Sequence, residues 1–395
     1  MSVCFAGTSA MSGEKALYSF KGGSDGLIPQ AGVIADAAGN LYGTASEGGG
    51  GTGCRNGNQG CGIVFSLTPD GTETVLHAFA GGCDGAIPLA ALIADKAGNY
   101  YGTTFSGGVC NNDEGYGSVF KITPNGTESV LYAFTGGSGG ENPTGGLIAD
   151  KKGDLYGAGG GGNPGGCGGQ GCGVVFKLTP KGKISIIYAF QGGTDGAIPS
   201  GSLLMDKAGN MYGTTGGGGG TDCDNGFGCG TVFKIAPGGA ETVLYAFQGG
   251  NDGWFPQNGV VEDGAGNLYG TTAAGGPGNY GTVFKVTPAG AETVLYAFPG
   301  GAAGYGPEAG VILDKAGNLY GTTSSGGGGH CQNDGCGVVF KLAPDGTETV
   351  LYAFANRGGT YPAAGLLMGK NDTLYGTTTA GGKDGDGVVF KVTTQ

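Results

Sequence analysis

Few side chains in this chain can do acid–base or covalent chemistry. Its 395 residues include two histidines, His77 and His330, and no Ser-His-Asp or Cys-His arrangement can be argued from where they stand. Carboxylates are the better candidates. Glu141 and Glu308 lie in loops of similar composition, each near a proline. If brought to within about 5–10 Å, they could act as the acid and base of a glycoside hydrolase. A polysaccharide lyase would need a base and a cation beside a uronate, for which His330, Tyr305 and Arg357 can be nominated. His330, next to Cys331, also reads as a solvated loop residue, and His77 reads as structural. Aromatic and amide side chains suggest binding instead. Trp254, the single tryptophan, Phe255, Tyr305 and Tyr361 sit in proline loops with Gln30 and Gln257. Flat rings suit the C–H faces of sugars, and amides and carboxylates suit hydroxyl groups.

The eleven cysteines offer a different chemistry. Eight form close pairs: Cys54 with Cys61, Cys167 with Cys172, Cys223 with Cys229, and Cys331 with Cys336. Zinc sites would favour shorter C-x2-C spacing with histidines. Local disulfides in an oxidising compartment fit better. Glycine is 97 of 395 residues, which excludes an ordinary helical protein. Collagen is excluded too, because glycine does not recur at every third position. The 18 Tyr, 18 Phe and many short Val/Ile/Leu runs argue against disorder. The net charge of −12 disfavours nucleic acid and anionic membranes as partners. No apolar run approaches 18 residues, so no membrane insertion is expected. The opening MSVCFAGTSAMSGEK lacks the basic and apolar regions of a signal peptide.

One phrase recurs along the chain and must position these residues. Val-Phe pairs at Phe65, Phe120, Phe176, Phe233, Phe284, Phe340 and Phe390 are separated by 55, 56, 57, 51, 56 and 50 residues. Repeats of this length with strand-like content predict propeller blades. Each unit reads as four short strands. Strand a is a segment such as Gly32–Asp36, strand b one such as Leu41–Thr44, strand c is V-F-K-L-T, and strand d is T-V-L-Y-A-F. Asp-x-x-Gly-Asn turns join a to b, and glycine turns join c to d. The chain starts on a strand d, Ala16–Phe20, and stops on a strand c, Val388–Val392. Pairing these ends would close the ring and remove its open edges. The expectation is an all-β, seven-bladed β-propeller of four-stranded antiparallel blades, closed by the N-terminal strand in the last blade. Residues 1–14 form a tail and 15–395 a single domain. The blades run at about 21–79, 80–134, 135–190, 191–247, 248–298, 299–354, and 355–395 with 15–20.

This frame assigns the loops to faces. The b–c and d–a loops share one face, vary between units, and are the expected binding surface. The close cysteine pairs all fall in long b–c loops. Cys83 and Cys110 fall on the same face and are predicted to pair, leaving Cys4 over. Each bridge should contribute roughly 2–3 kcal/mol by restricting the unfolded chain. Aromatics in the d–a loops of blades 5–7 are expected at the channel mouth. The alternative is that they plug the channel or pack between blades. Asp25, Asp84, Asp195 and Asp252, and the Asp384-Gly385-Asp386 stretch, could take structural calcium or cap turns. No other cofactor or metal is expected.

The phrase V-F-K-x-A/T-P-x-G-x-E-T-V-L-Y-A-F, as in Val339–Phe354, resembles the Gloeobacter/Verrucomicrobium-type tandem repeat of bacterial surface proteins. The resemblance covers nearly the whole chain. It implies a secreted or cell-surface β-propeller and assigns no catalytic residue. Members carry varied C-terminal sorting or anchoring segments, and the given sequence stops at Gln395 after the last strand. The G-L-I-x-D-x-x-G-N-L-Y phrase is also similar to gluconolactonase-like propellers. Those use metal-binding acids and Asn in the channel, for which this sequence shows no clear counterpart. The functional expectation is therefore a monomeric extracellular module binding a glycan or cell-surface component. A carbohydrate-active enzyme at the same mouth and an adhesive or structural surface protein are the alternatives.

Overall fold

The V-F and L-Y-A-F phrases form two adjacent paired strands in every blade. In blade 1 they span Ile63–Leu67 and Glu73–Ala78, and they run antiparallel. A computed structural model describes residues 15–394, apart from 52–53, 55–58, 111–114, 164, 221–222, 224–225, 329–330 and 332–334. It contains seven four-stranded sheets. Six take their strands consecutively from the chain. The seventh places the N-terminal Lys15–Ser19 beside Val388–Thr393, with Tyr18 opposite Val389 and Ser19 opposite Val388. The ring is thus shut by the two ends of the chain. Among the described residues, only short 3₁₀ turns interrupt the all-β pattern.

Neighbouring blades meet through phenylalanine. The Phe ending strand d of one blade stands edge-on to the V-F Phe of the next, with centroids 4.9–5.2 Å apart, as in Phe20–Phe65, Phe79–Phe120 and Phe354–Phe390. Seven such contacts circle the molecule. Edge-to-face pairs add about 0.5–1.5 kcal/mol each beyond area burial. The paired Tyr-Gly motif follows from this seam. A Cβ on Gly43 would lie 2.7 Å from Cζ of Phe65. Gly43→Ala should therefore overpack the sheet and cost about 1–3 kcal/mol, read as a lower urea midpoint. An unchanged midpoint would refute this account of the motif.

Strand a departs from expectation. It spans two residues in six blades, as in Ile34–Ala35, rather than the five of Gly32–Asp36. Only blade 4 extends it, to Ala197–Met205. At the axis neighbouring a-segments approach backbone to backbone. A Cβ on Gly32 would meet the Gly365 carbonyl at 2.7 Å. The a–b turns form as expected. Asp36 accepts hydrogen bonds from the backbone N–H and the side-chain amide of Asn40, and one from the Tyr42 hydroxyl. Burial opposes ionisation of Asp36, but these hydrogen bonds outweigh it and hold the carboxyl below its ordinary value.

Candidate functional site: the loop face and channel mouth

The d–a and b–c loops of each blade pair edge to edge, as Leu27 does with Glu47 and Tyr305 with Ser325, so both emerge on one face. The residue before each d–a proline adopts a left-handed backbone. These are Ile28, Ile87, Asn142, Ile198, Phe255, Gly306 and Tyr361, with φ between 44° and 66°. Isoleucine rarely sits there, and such a conformation costs on the order of 1–3 kcal/mol. Hydrogen bonds impose it. The Ile87 N–H donates to the Cys61 carbonyl of the preceding blade at 2.8 Å, and the Ile87 carbonyl accepts from Phe105 at 2.9 Å. Phe255 repeats this with Cys229 and Ala273, and Tyr361 with Cys336 and Thr379. Each clamp therefore ties one blade to the next.

The clamp decides which side chains reach the axis. The residue after each proline lines the mouth: Gln30, Leu89, Thr144, Ser200, Gln257, Glu308 and Ala363. Gln30, Phe255, Gln257 and Glu308 share one depression of about 400 Å³. Gln30, Glu308, Tyr361 and Asp386 share a second, of about 630 Å³. A further cavity of about 310 Å³ is lined by the segments between these prolines and strand a, including Gly32, Val33, Gly146, Gly259 and Gly310. Burial raises the Asp386 carboxyl above its ordinary value, and Asp384 and Asp25 nearby raise it further.

Trp254 and Tyr305 do not join the mouth as expected. Both stand two residues before the proline, where the chain still pairs with its own b–c loop. The Trp254 indole Nε1–H donates to Asn279 Oδ1 at 3.1 Å, and its ring lies 5.6 Å from that of Phe255. Tyr305 instead meets Tyr280, at 5.2 Å. Trp254 and Phe255 thus form an aromatic shelf beside the mouth, with Phe255 at its inner end, and Tyr280 and Tyr305 form a separate pair. Glu141 also stands two residues before its proline and lines a separate depression with Phe105, Asn142 and Phe227. Glu141 and Glu308 are therefore not brought together in one depression. Arg357 is exposed on the 3₁₀ turn Asn356–Gly358 and lines neither mouth depression. His330 lies outside the described residues, as does Cys4.

Five disulfides form: Cys54–Cys61, Cys83–Cys110, Cys167–Cys172, Cys223–Cys229 and Cys331–Cys336, with Cα separations of 4.2–5.4 Å. The second cysteine of each short pair precedes the glycine immediately before strand c. Tyr116, Tyr280 and Asp386 hold that position in blades 2, 5 and 7. Tyr280 covers Gly300 as the Cys167–Cys172 sulfurs cover Gly192, so a ring there replaces a disulfide as the plate over the next loop. Sequence reasoning missed Tyr280. Its place in the cysteine register was the available signal. Asp25, Asp195 and Asp252 accept hydrogen bonds from the hydroxyls of Tyr18, Tyr188 and Tyr245 and from backbone N–H groups, which is the capping role. His77 replaces the tyrosine in blade 1 and reaches Asp84 with Nε2 at 3.1 Å. Among the described residues, no group of three His, Cys, Asp or Glu side chains could hold a metal ion.

The model of the Gloeobacter/Verrucomicrobia repeat matches residues 2–227 and 219–395. The chain belongs to this family. No curated protein matches the sequence of this Gloeobacter/Verrucomicrobia repeat protein. Among solved structures it is similar to the extracellular domain of a hybrid two-component system from B. thetaiotaomicron. That match has 10% identity and a TM-score of 0.57, and covers 96% of this chain and 39% of that one. It is also similar to a puromycin hydrolase, with 13% identity and a TM-score of 0.54, over 89% of this chain and 50% of that one. A gluconolactonase from Xanthomonas campestris matches at 15% identity and a TM-score of 0.44, over 80% and 88%. At these identities the likeness concerns the fold alone.

Proposed function

We propose that this repeat protein is an extracellular glycan-binding module whose site is the channel mouth and the adjoining aromatic shelf. One observation carries the reading. Phe255, Gln257, Gln30 and Glu308 come from blades 5, 1 and 6 yet line a single depression, and Trp254 stands edge-on to Phe255 beside it. An apolar ring flanked by two amides and a carboxylate is the chemistry that holds a sugar by its C–H face and its hydroxyls. Five disulfides fit an oxidising compartment, and no helix among the described residues is long and apolar enough to cross a membrane. Screening on a glycan array should yield a saccharide ligand. Phe255→Ala and Glu308→Gln should each then weaken it about tenfold in calorimetry, while melting temperature stays unchanged. Full binding by the double variant would refute the site.

A second reading is favoured by Glu308 and Asp386 sharing the larger depression, with Asp386 raised in pKa. Two carboxylates facing one depression can serve as acid and base on a glycosidic bond. This enzyme reading requires product release from a polysaccharide, abolished by Glu308→Gln and by Asp386→Asn. Binding without turnover, retained by Asp386→Asn, decides for the module.

A further inference from the structure

The opposite face of the disc carries a charge pattern that the loop face does not explain. The chain has a net charge of −12, yet blade 3 holds five lysines, Lys151, Lys152, Lys177, Lys181 and Lys183, against three acids, Glu141, Asp150 and Asp154. Glu141 is on the loop face. The lysines stand on strand c and on the a–b and c–d turns. Two of these turns break the repeat. Blades 1 and 6 read Asp-Gly-Thr-Glu at the c–d turn, and blade 3 reads Lys181-Gly182-Lys183-Ile184. Lys152 stands where blades 1, 2 and 4 have Ala38, Ala97 and Ala208.

The acids nearby are already engaged. Asp154 pairs with Lys177 at 2.6 Å. Asp150 accepts the backbone N–H groups of Lys152 and Asp154 and the Tyr156 hydroxyl. Asp206 accepts from Ala208, Asn210 and Tyr212. Lys151, Lys152, Lys181, Lys183 and, from blade 4, Lys207 are exposed, and no carboxylate pairs with them among the described residues. Four lysines, Lys151, Lys152, Lys177 and Lys207, and the two engaged aspartates, Asp150 and Asp206, line a groove of about 650 Å³ between blades 3 and 4 together with Tyr156, Ile187, Met205 and Met211. Like charges gathered this closely repel one another, so stability does not account for them.

We infer that this groove binds a linear anionic polysaccharide bearing uronate or sulfate groups. Point charges on three separate short turns of two blades suit a polymer with repeated anionic groups. The aromatic and methionine floor suits sugar faces between them. The inference does not rest on the loop-face reading.

The test is calorimetry of the full chain with polygalacturonate, dextran sulfate, neutral dextran and poly-glutamate. One or both polyanionic saccharides should bind, more weakly as salt rises from 50 to 200 mM, and neutral dextran should not. Combined Lys151→Ala, Lys152→Ala, Lys181→Ala and Lys183→Ala should weaken that binding at least tenfold with a melting temperature no lower than that of the parent chain, because all four side chains are exposed and repel one another. Glu308→Gln, on the other face, should leave it unaltered. Equal binding of poly-glutamate, equal binding by the four-lysine variant, or no binding of either polyanionic saccharide would overturn the inference.

Discussion

Phe20→Ala should cost about 3–5 kcal/mol, although Phe20 ends a terminal strand. Terminal segments are ordinarily where substitutions matter least. Here Phe20 is fully buried and stands edge-on to both Tyr18 and Phe65. Its backbone N–H donates to the Gly387 carbonyl, so it joins the two ends of the chain. A chain starting at Lys21 would leave blade 7 with three strands and expose the paired edge of Val388–Thr393. It should lose cooperative unfolding in urea, and Phe20→Ala alone should lower the midpoint at an unchanged slope. A midpoint equal to that of the parent chain would show that closure by the N-terminal strand contributes little.

Stability should be highest near pH 4–5 and decline toward neutrality. Glu73, Glu128, Glu241 and Glu292 each begin a strand d, and each has a carboxylate Oε1 that is buried without a hydrogen-bond partner. Burial pushes each up to about 7, and an aspartate of the preceding loop, Asp25, Asp84, Asp195 or Asp252, adds to the rise. Lys21 and His77 partly oppose it at Glu73 and Glu128. The folded chain therefore keeps protons that the unfolded chain releases above its ordinary value of 4.5. The stability this confers is complete below that pH and is lost as pH climbs through about 7. Because these side chains are partly open to solvent, each contributes on the order of 1 kcal/mol, or about 4 kcal/mol together. The a–b turn aspartates set the lower limit. Hydrogen bonds hold Asp263 at about 2 despite its burial, so its stabilisation is lost as pH falls from 3.8 toward that value. Melting temperature should drop by several degrees between pH 4.5 and 8. Replacing the four glutamates by glutamine should flatten that slope, and a parent profile already flat would refute the assignment.

The repeat made most of the fold legible. Seven Val-Phe and seven Tyr-Gly pairs set the blade count, and the d-first, c-last order set the closure. Cys83 and Cys110 could be matched because both fall in loops of one face. What escaped were features decided between blades. The left-handed residue before each proline is held by a carbonyl of the neighbouring blade, and isoleucine gives no local hint of it. Trp254, Phe255 and Gln257 are nearly adjacent in sequence, yet that one bend sends Trp254 toward its b–c loop and Phe255 and Gln257 to the mouth. Reading the d–a loop as one aromatic class merged positions with different destinations.

Those bent residues have a use beyond holding blades together. Because the partner carbonyls dictate the bend, the position has accepted Ile, Asn, Phe, Gly and Tyr on nearly one backbone path. It amounts to seven sockets, radially spaced, into which side chains can be exchanged without rebuilding the support. Randomising Ile28, Ile87 and Ile198 together would give a library of recognition surfaces on a fixed frame.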